Sequence, residues 1–186
     1  MTRRLRGAIV IAAVAAVGAA AAAQSAETFT ATANVKKGGV SATAPVKVTV
    51  TRYADDGERA AVVKAVRAGG AASLQKLLSA ARDAGTIQLG DVSTPVKFAS
   101  QRPTADGRLV TVVTAKPMLA LGGGVPQAKS VAGFDVAIAM FEVKNGNAGV
   151  GDLSPAAKVA IDDGGALVIE DYGATVVWLN SIARAK

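Results

Sequence analysis

The chain has 186 residues, 21 Lys and Arg against 14 Asp and Glu, and neither Cys nor His. Without Cys there is no disulfide framework and no thiolate metal site; without His there is no Ser-His-Asp triad, Cys-His pair or imidazole ligand. The length fits one ordinary domain, so the reading is of residues 27–186 as a single β-rich unit behind a leader at residues 1–23.

The leader has three parts. Arg3, Arg4 and Arg6 form a basic start, Gly7–Gly18 is uncharged and rich in Ala, Val and Ile, and Ala21-Ala22-Ala23 supplies small residues where a signal peptidase cuts. Ala8–Ala23, mostly Ala, is short of the roughly 20 strongly apolar residues a spanning helix needs. The segment therefore reads as a cleaved secretory signal, with the product periplasmic or secreted and without a transmembrane segment. Arg6 and Gly7 stand where a twin-arginine signal carries apolar residues, so the general export route is expected. Beyond Ala23 there remain 18 basic and 14 acidic residues, a net charge of +4 that favours solubility. No basic stripe with interleaved aromatics stands out, and nucleic acid is not an expected partner.

From Glu27 the dominant period is two. Phe29, Ala31 and Ala33 alternate with Thr28, Thr30 and Thr32, and Val46, Val48 and Val50 with Lys47, Thr49 and Thr51, each the pattern of a half-buried strand. Lys36-Lys37-Gly38-Gly39 reads as the turn between them. The pattern then becomes helical. Asp55 and Glu58 have the spacing of a capping box, Val62, Val63 and Val66 share a face, Gly69-Gly70 breaks it, and Leu74, Leu77, Leu78 and Ala81 form an apolar stripe before Gly85. This predicts an αα-hairpin over about residues 56–83. Burying three leucines contributes about 1.5–3 kcal/mol each. Ordering a dozen residues costs about 1–2 kcal/mol apiece. The helices must therefore lie against a sheet.

Strands return after Gly85: Thr86–Leu89, Val96–Ser100, Leu109–Ala115 behind an Asp106-Gly107 turn, and Val131–Val143 as the longest. In that last segment Phe134, Val136, Ile138 and Met140 share one face and Ala137 and Ala139 the other, the pattern of a barrel interior or a helix-covered surface. Val159 and Ile161 lead into Asp162-Asp163-Gly164-Gly165, Ala166–Glu170 leads out, and Val176–Leu179 is a strand by its β-branched residues. The fold class is α+β, β-dominated: a largely antiparallel sheet of about eight or nine strands, barrel or roll, with the helical hairpin packed on it.

Chemistry-bearing groups are sparse. Asp55, Asp56 and Glu58 read as helix capping rather than a cation site, and Asp162-Asp163 as a turn; no metal site and no cofactor are expected. Asp135, Glu142, Glu170 and Asp171 are the carboxylates that could serve as acid and base, Asp135 foremost because it shares a face with Ala137 and Ala139. Gly122-Gly123-Gly124 and Pro126 lack the Gly-Lys-Ser/Thr of a phosphate loop and mark Met118–Ser130 as an irregular stretch, the expected rim for a ligand or partner. Trp178 and Tyr172 read as core or rim aromatics. The expectation is a non-catalytic exported domain that binds an envelope partner or a small apolar ligand. Its alternatives are a carboxylate-dependent extracytoplasmic enzyme, for instance on a glycan, and a structural envelope component or inhibitor.

Overall fold

The computed structural model describes residues 26–37, 40–120, 131–146, 148–161, 167–171 and 176–185. The predicted leader, the Gly122–Gly124 and Pro126 loop positions, Asp162-Asp163 and Tyr172 lie outside the described residues. The chain order is β1 (Glu27–Lys37), β2 (Val40–Val50), α1 (Asp56–Ala80), β3 (Gly85–Leu89), β4 (Val92–Thr104), β5 (Gly107–Thr114), β6 (Val136–Lys144), β7 (Gly149–Ile161), β8 (Leu167–Asp171) and β9 (Val176–Arg184).

All pairings are antiparallel, in the order β6-β5-β4-β3-β2-β1-β9-β7-β8. A further β6–β7 pairing closes eight strands into a barrel. Of the two architectures the sequence allows, the chain adopts the barrel. Strand β8 lies outside the ring and continues the hairpin with the far half of β7, Ala157–Ile161. Closure satisfies the edges that an open sheet would leave exposed.

The alternation seen in the sequence sorts the two cores. Phe29, Ala33, Val35, Val46, Val48, Val50, Ile87 and Leu89 point into the barrel, where they meet Val110, Val112, Ala137, Ala139, Phe141, Leu153, Val177, Leu179 and Ile182. The opposite face of β4–β7 forms a second core with α1: Val66, Leu74 and Leu78 pack on Val113, Val136, Ile138, Ala157 and Val159. The small and large faces of β6 therefore have separate uses. Its alanines fit the barrel interior, and its bulky residues lie under the helix.

The bounds of two predicted elements need correction. The helical segment expected over about 56–83 spans Asp56–Ala80, and its two helical parts meet at non-helical backbone at Gly69 and Gly70, where the glycine pair predicts the break. The interruption lies against β7: a Cβ on Gly70, whose φ is +59°, would come within 2.9 Å of the Val159 carbonyl oxygen. Val131–Val143 is not the longest strand; β6 starts at Val136, after a turn at Ala132-Gly133, and β4 and β7 are longer at 13 residues each. Both carry proline, Pro95 and Pro103 in β4 and Pro155 in β7, each of which removes one amide donor and interrupts the sequence pattern within the strand. The capping box forms as read, with Asp55 Oδ1 accepting from Glu58 N at 2.8 Å and Glu58 Oε2 accepting from Asp55 N at 3.2 Å.

Candidate functional site

Among the described residues the barrel interior is filled by side chains. The void lined by Phe29, Ala31, Val46, Val48, Phe141, Leu179 and Ile182 measures about 10 Å³, at the lower limit for a single water. Phe29 and Phe141 meet edge to face at 5.3 Å between ring centroids within the interior core. Eight strands make a tube that side chains alone can fill, and here they do.

Both ends are closed as well. At one end Met118, 3% exposed, inserts from the segment after β5 into the interior cluster, and its amide donates to the Pro155 carbonyl at 2.7 Å. At the other end the inward-facing positions beyond the last apolar residue carry polar groups: Glu27 beyond Phe29, Gln101 beyond Ala99, Arg108 beyond Val110 and Arg184 beyond Ile182. Glu27, whose side chain is 11% exposed, accepts from Tyr53 Oη at 2.7 Å and from Arg108 Nη2 at 2.8 Å, and pairs with Arg184 at 3.2 Å. The Arg108 guanidinium sits 5.6 Å above the Phe29 ring. Burial works against the Glu27 charge, but the hydrogen bonds from Arg108 and Tyr53 and the charges of Arg108 and Arg184 outweigh it and hold the carboxyl below its ordinary range. Burial pushes the Tyr53 phenol up, and the hydrogen bond to Glu27 and its charge push it further. A carboxylate with both oxygens engaged and a phenol held neutral make a seal, not a reactive pair.

Of the predicted acids, Asp135 and Glu142 stand far apart, whereas Asp171 of β8 is opposite Ala157, which in turn pairs with Val136 beside Asp135. Asp135 precedes β6, half-buried, and contributes its carbonyl oxygen to Gln75 Nε2 at 3.3 Å. Glu142 lies seven residues along, near the other end of the same strand, on the opposite face; it accepts from Thr104 Oγ1 at 3.0 Å and pairs with Lys144 at 3.6 Å. About 3.4 Å per residue of strand puts these two more than 20 Å apart, and they face no common cleft. Glu170 and Asp171 stand on β8, in register with Lys158 and Ala157. Among the described residues no group of three or more Asp, Glu, His or Cys side chains is placed to hold a metal ion, and no helix is long and apolar enough to cross a membrane.

The feature that sequence reading passed over is the outer face of α1. From Arg59 to Arg82 the chain carries Arg59, Lys64, Arg67, Lys76 and Arg82 and no acidic residue. Those five account for more than the whole net charge beyond the predicted leader; the rest of that chain holds 13 basic and 14 acidic residues. The helix turns Val66, Leu74 and Leu78 inward, so Lys64, Arg67 and Lys76 are left exposed, and they form no ion pair among the described residues. Arg59 differs, pairing with Asp56 in the first turn. Lys64 and Arg67, three residues apart, are neighbours on one face with no acid to offset their repulsion. The charge is thus concentrated rather than spread, and a count along the helical window finds it where a whole-chain total does not.

Compared with protein-family models, with curated proteins and with solved structures, the chain gives no match.

Proposed function

We propose that this protein is an exported, non-catalytic binding domain whose barrel is a rigid scaffold and whose partner docks on the outside, at the basic face of α1. The carrying observation is the segregation of charge: residues Arg59–Arg82 hold five cations and no anion, while the two acids of α1, Asp56 and Glu58, stand in its first turn and pair with Arg59 and Arg52, and Lys64, Arg67 and Lys76 are left exposed. The filled interior, about 10 Å³ of void, favours this over an apolar ligand held within the barrel. The partner class is an anionic surface of the cell envelope, recognised through long-range attraction that salt weakens.

Retention on immobilised heparin tests the proposal. A Lys64→Gln/Arg67→Gln/Lys76→Gln variant and a Lys47→Gln/Arg102→Gln/Lys116→Gln variant lose the same charge from exposed positions, on the helix and off it. The helix variant should elute at markedly lower salt than the parent, and the control close to the parent. Equal elution of the two variants would show that net charge alone, and no docking face, governs binding.

A further inference from the structure

The connection between β6 and β7 carries a chemically labile pair that docking on α1 does not use. Of the four asparagines, Asn34, Asn145, Asn147 and Asn180, only Asn145 precedes a glycine. β6 ends at Lys144 and β7 begins at Gly149, so Asn145 and Gly146 stand in the turn, and both are exposed. Gly146 takes a φ of +79°, with nothing within 4 Å of where a Cβ would stand. The Asn145 amide donates to the Asp106 carbonyl oxygen of the adjoining β4–β5 turn at 3.0 Å. Among the described residues, neither the Asn145 carboxamide nor the Gly146 amide has a hydrogen-bond partner.

Comparable positions elsewhere are held by the sheet. Asn34 and Asn180 lie within β1 and β9, and the residues that follow them, Val35 and Ser181, carry side chains that crowd the next amide. Asp106 also precedes a glycine, but Gly107 belongs to β5. It pairs with Thr104, and a Cβ there would collide with the Val143 carbonyl oxygen.

We propose that Asn145 is a site of spontaneous covalent modification, in which its side-chain amide gives way to a carboxylate. The Gly146 backbone nitrogen loses its proton to base and attacks Asn145 Cγ. As that bond forms, the side-chain nitrogen takes up a proton and leaves as ammonia, and a five-membered succinimide remains. Water then opens the ring at either carbonyl. One opening restores the backbone with an aspartate; the other routes the backbone through the side chain, as isoaspartate. Glycine favours the ring closure because no side chain crowds its nitrogen and its backbone turns freely.

Either product adds a negative charge. It arises beside Lys144, which pairs with Glu142 at 3.6 Å, and across from the exposed Asp106. The hollow lined by Ala105, Asp106, Lys144, Asn145 and Ala148 thereby gains a second acid. The isoaspartyl product also lengthens the backbone at the contact with Asp106, which should loosen the two turns from each other.

Peptide mapping by mass spectrometry, on the full chain kept folded in mildly alkaline buffer, tests the proposal. Asn145 should convert at a rate within about tenfold of the same pair in a synthetic peptide of residues 141–150. The isoaspartyl form should be in excess, with Asn34 and Asn180 intact. Gly146→Ala should slow conversion about tenfold. Asn145→Gln, whose longer side chain must close a larger ring, should show no conversion over the same time. The comparison of parent with peptide stands whether or not either variant folds. An Asn145 that stays intact in the folded chain while the peptide converts would overturn the proposal. So would equal conversion at Asn34 or Asn180, or an undiminished rate in folded Gly146→Ala.

Discussion

Glu27 shows how one residue can close a barrel. Its carboxylate joins β1 to Arg108 of β5, to Arg184 of β9 and to Tyr53 beyond β2, so the ends of four chain segments meet on two oxygen atoms. The position was legible in principle. Glu27 has the parity of Phe29, Arg108 that of Val110 and Arg184 that of Ile182, so a strict alternation predicts each to point inward. What alternation does not show is that three strands distant in sequence bring them to one mouth. The pH consequence follows from direction alone. A carboxyl whose folded pKa lies below the ordinary 4.5 contributes stability above that value and loses it as pH falls through the folded pKa. Tyr53 acts at the other limit. Its folded pKa lies above the ordinary 10.0, so its contribution is complete below pH 10 and declines as pH rises beyond it. Glu27→Gln should lower stability at pH 7 by about 1–3 kcal/mol, because it leaves Arg108 without its anion. It should also flatten the acid limb of stability against pH, as read by urea unfolding. An acid limb unchanged by the substitution would show that Glu27 is not the group responsible.

At the scale of elements, α1 carries most of the interest, and its break is what fits it to the barrel. Gly70 combines a positive φ of 59° with close approach to the β7 backbone, two conditions that an alanine meets poorly. Gly70→Ala should therefore destabilise the fold by about 1–2 kcal/mol, whereas a gain in stability would mean that the break is dispensable. The sequence showed the break but not its geometry, since a glycine pair reads equally well as a loop between two helices. Strand β7 was the harder case. Gly149, Gly151 and Pro155 interrupt its alternation, yet each glycine is required by position. A Cβ on either would collide with the β6 backbone, at the Glu142 carbonyl for Gly149 and at the Met140 carbonyl for Gly151. Residues that weaken a strand in isolation are the ones that let two strands pack closely here. The exposed cations of α1 needed no structure to be seen, only a count over the helical window in place of the whole chain.

For the molecule as a whole, the decisive fact is closure around a core that side chains of the described residues fill. The β-dominated, antiparallel character follows from period-two patterning, but the choice of barrel over roll rests on the β1–β9 and β6–β7 pairings. The first of these joins the two ends of the described chain, a contact that no local pattern encodes. Under the proposed function, a filled barrel leaves recognition to its surface, and the exposed cations of α1 are the proposed place. Amide hydrogen exchange of the chain with and without heparin, resolved along the sequence, tests this most directly. The account predicts added protection within Asp56–Ala80, lost in the Lys64→Gln/Arg67→Gln/Lys76→Gln variant, with the exchange of β1, β2 and β9 unchanged. Protection confined to the barrel strands, with α1 unaffected, would contradict it.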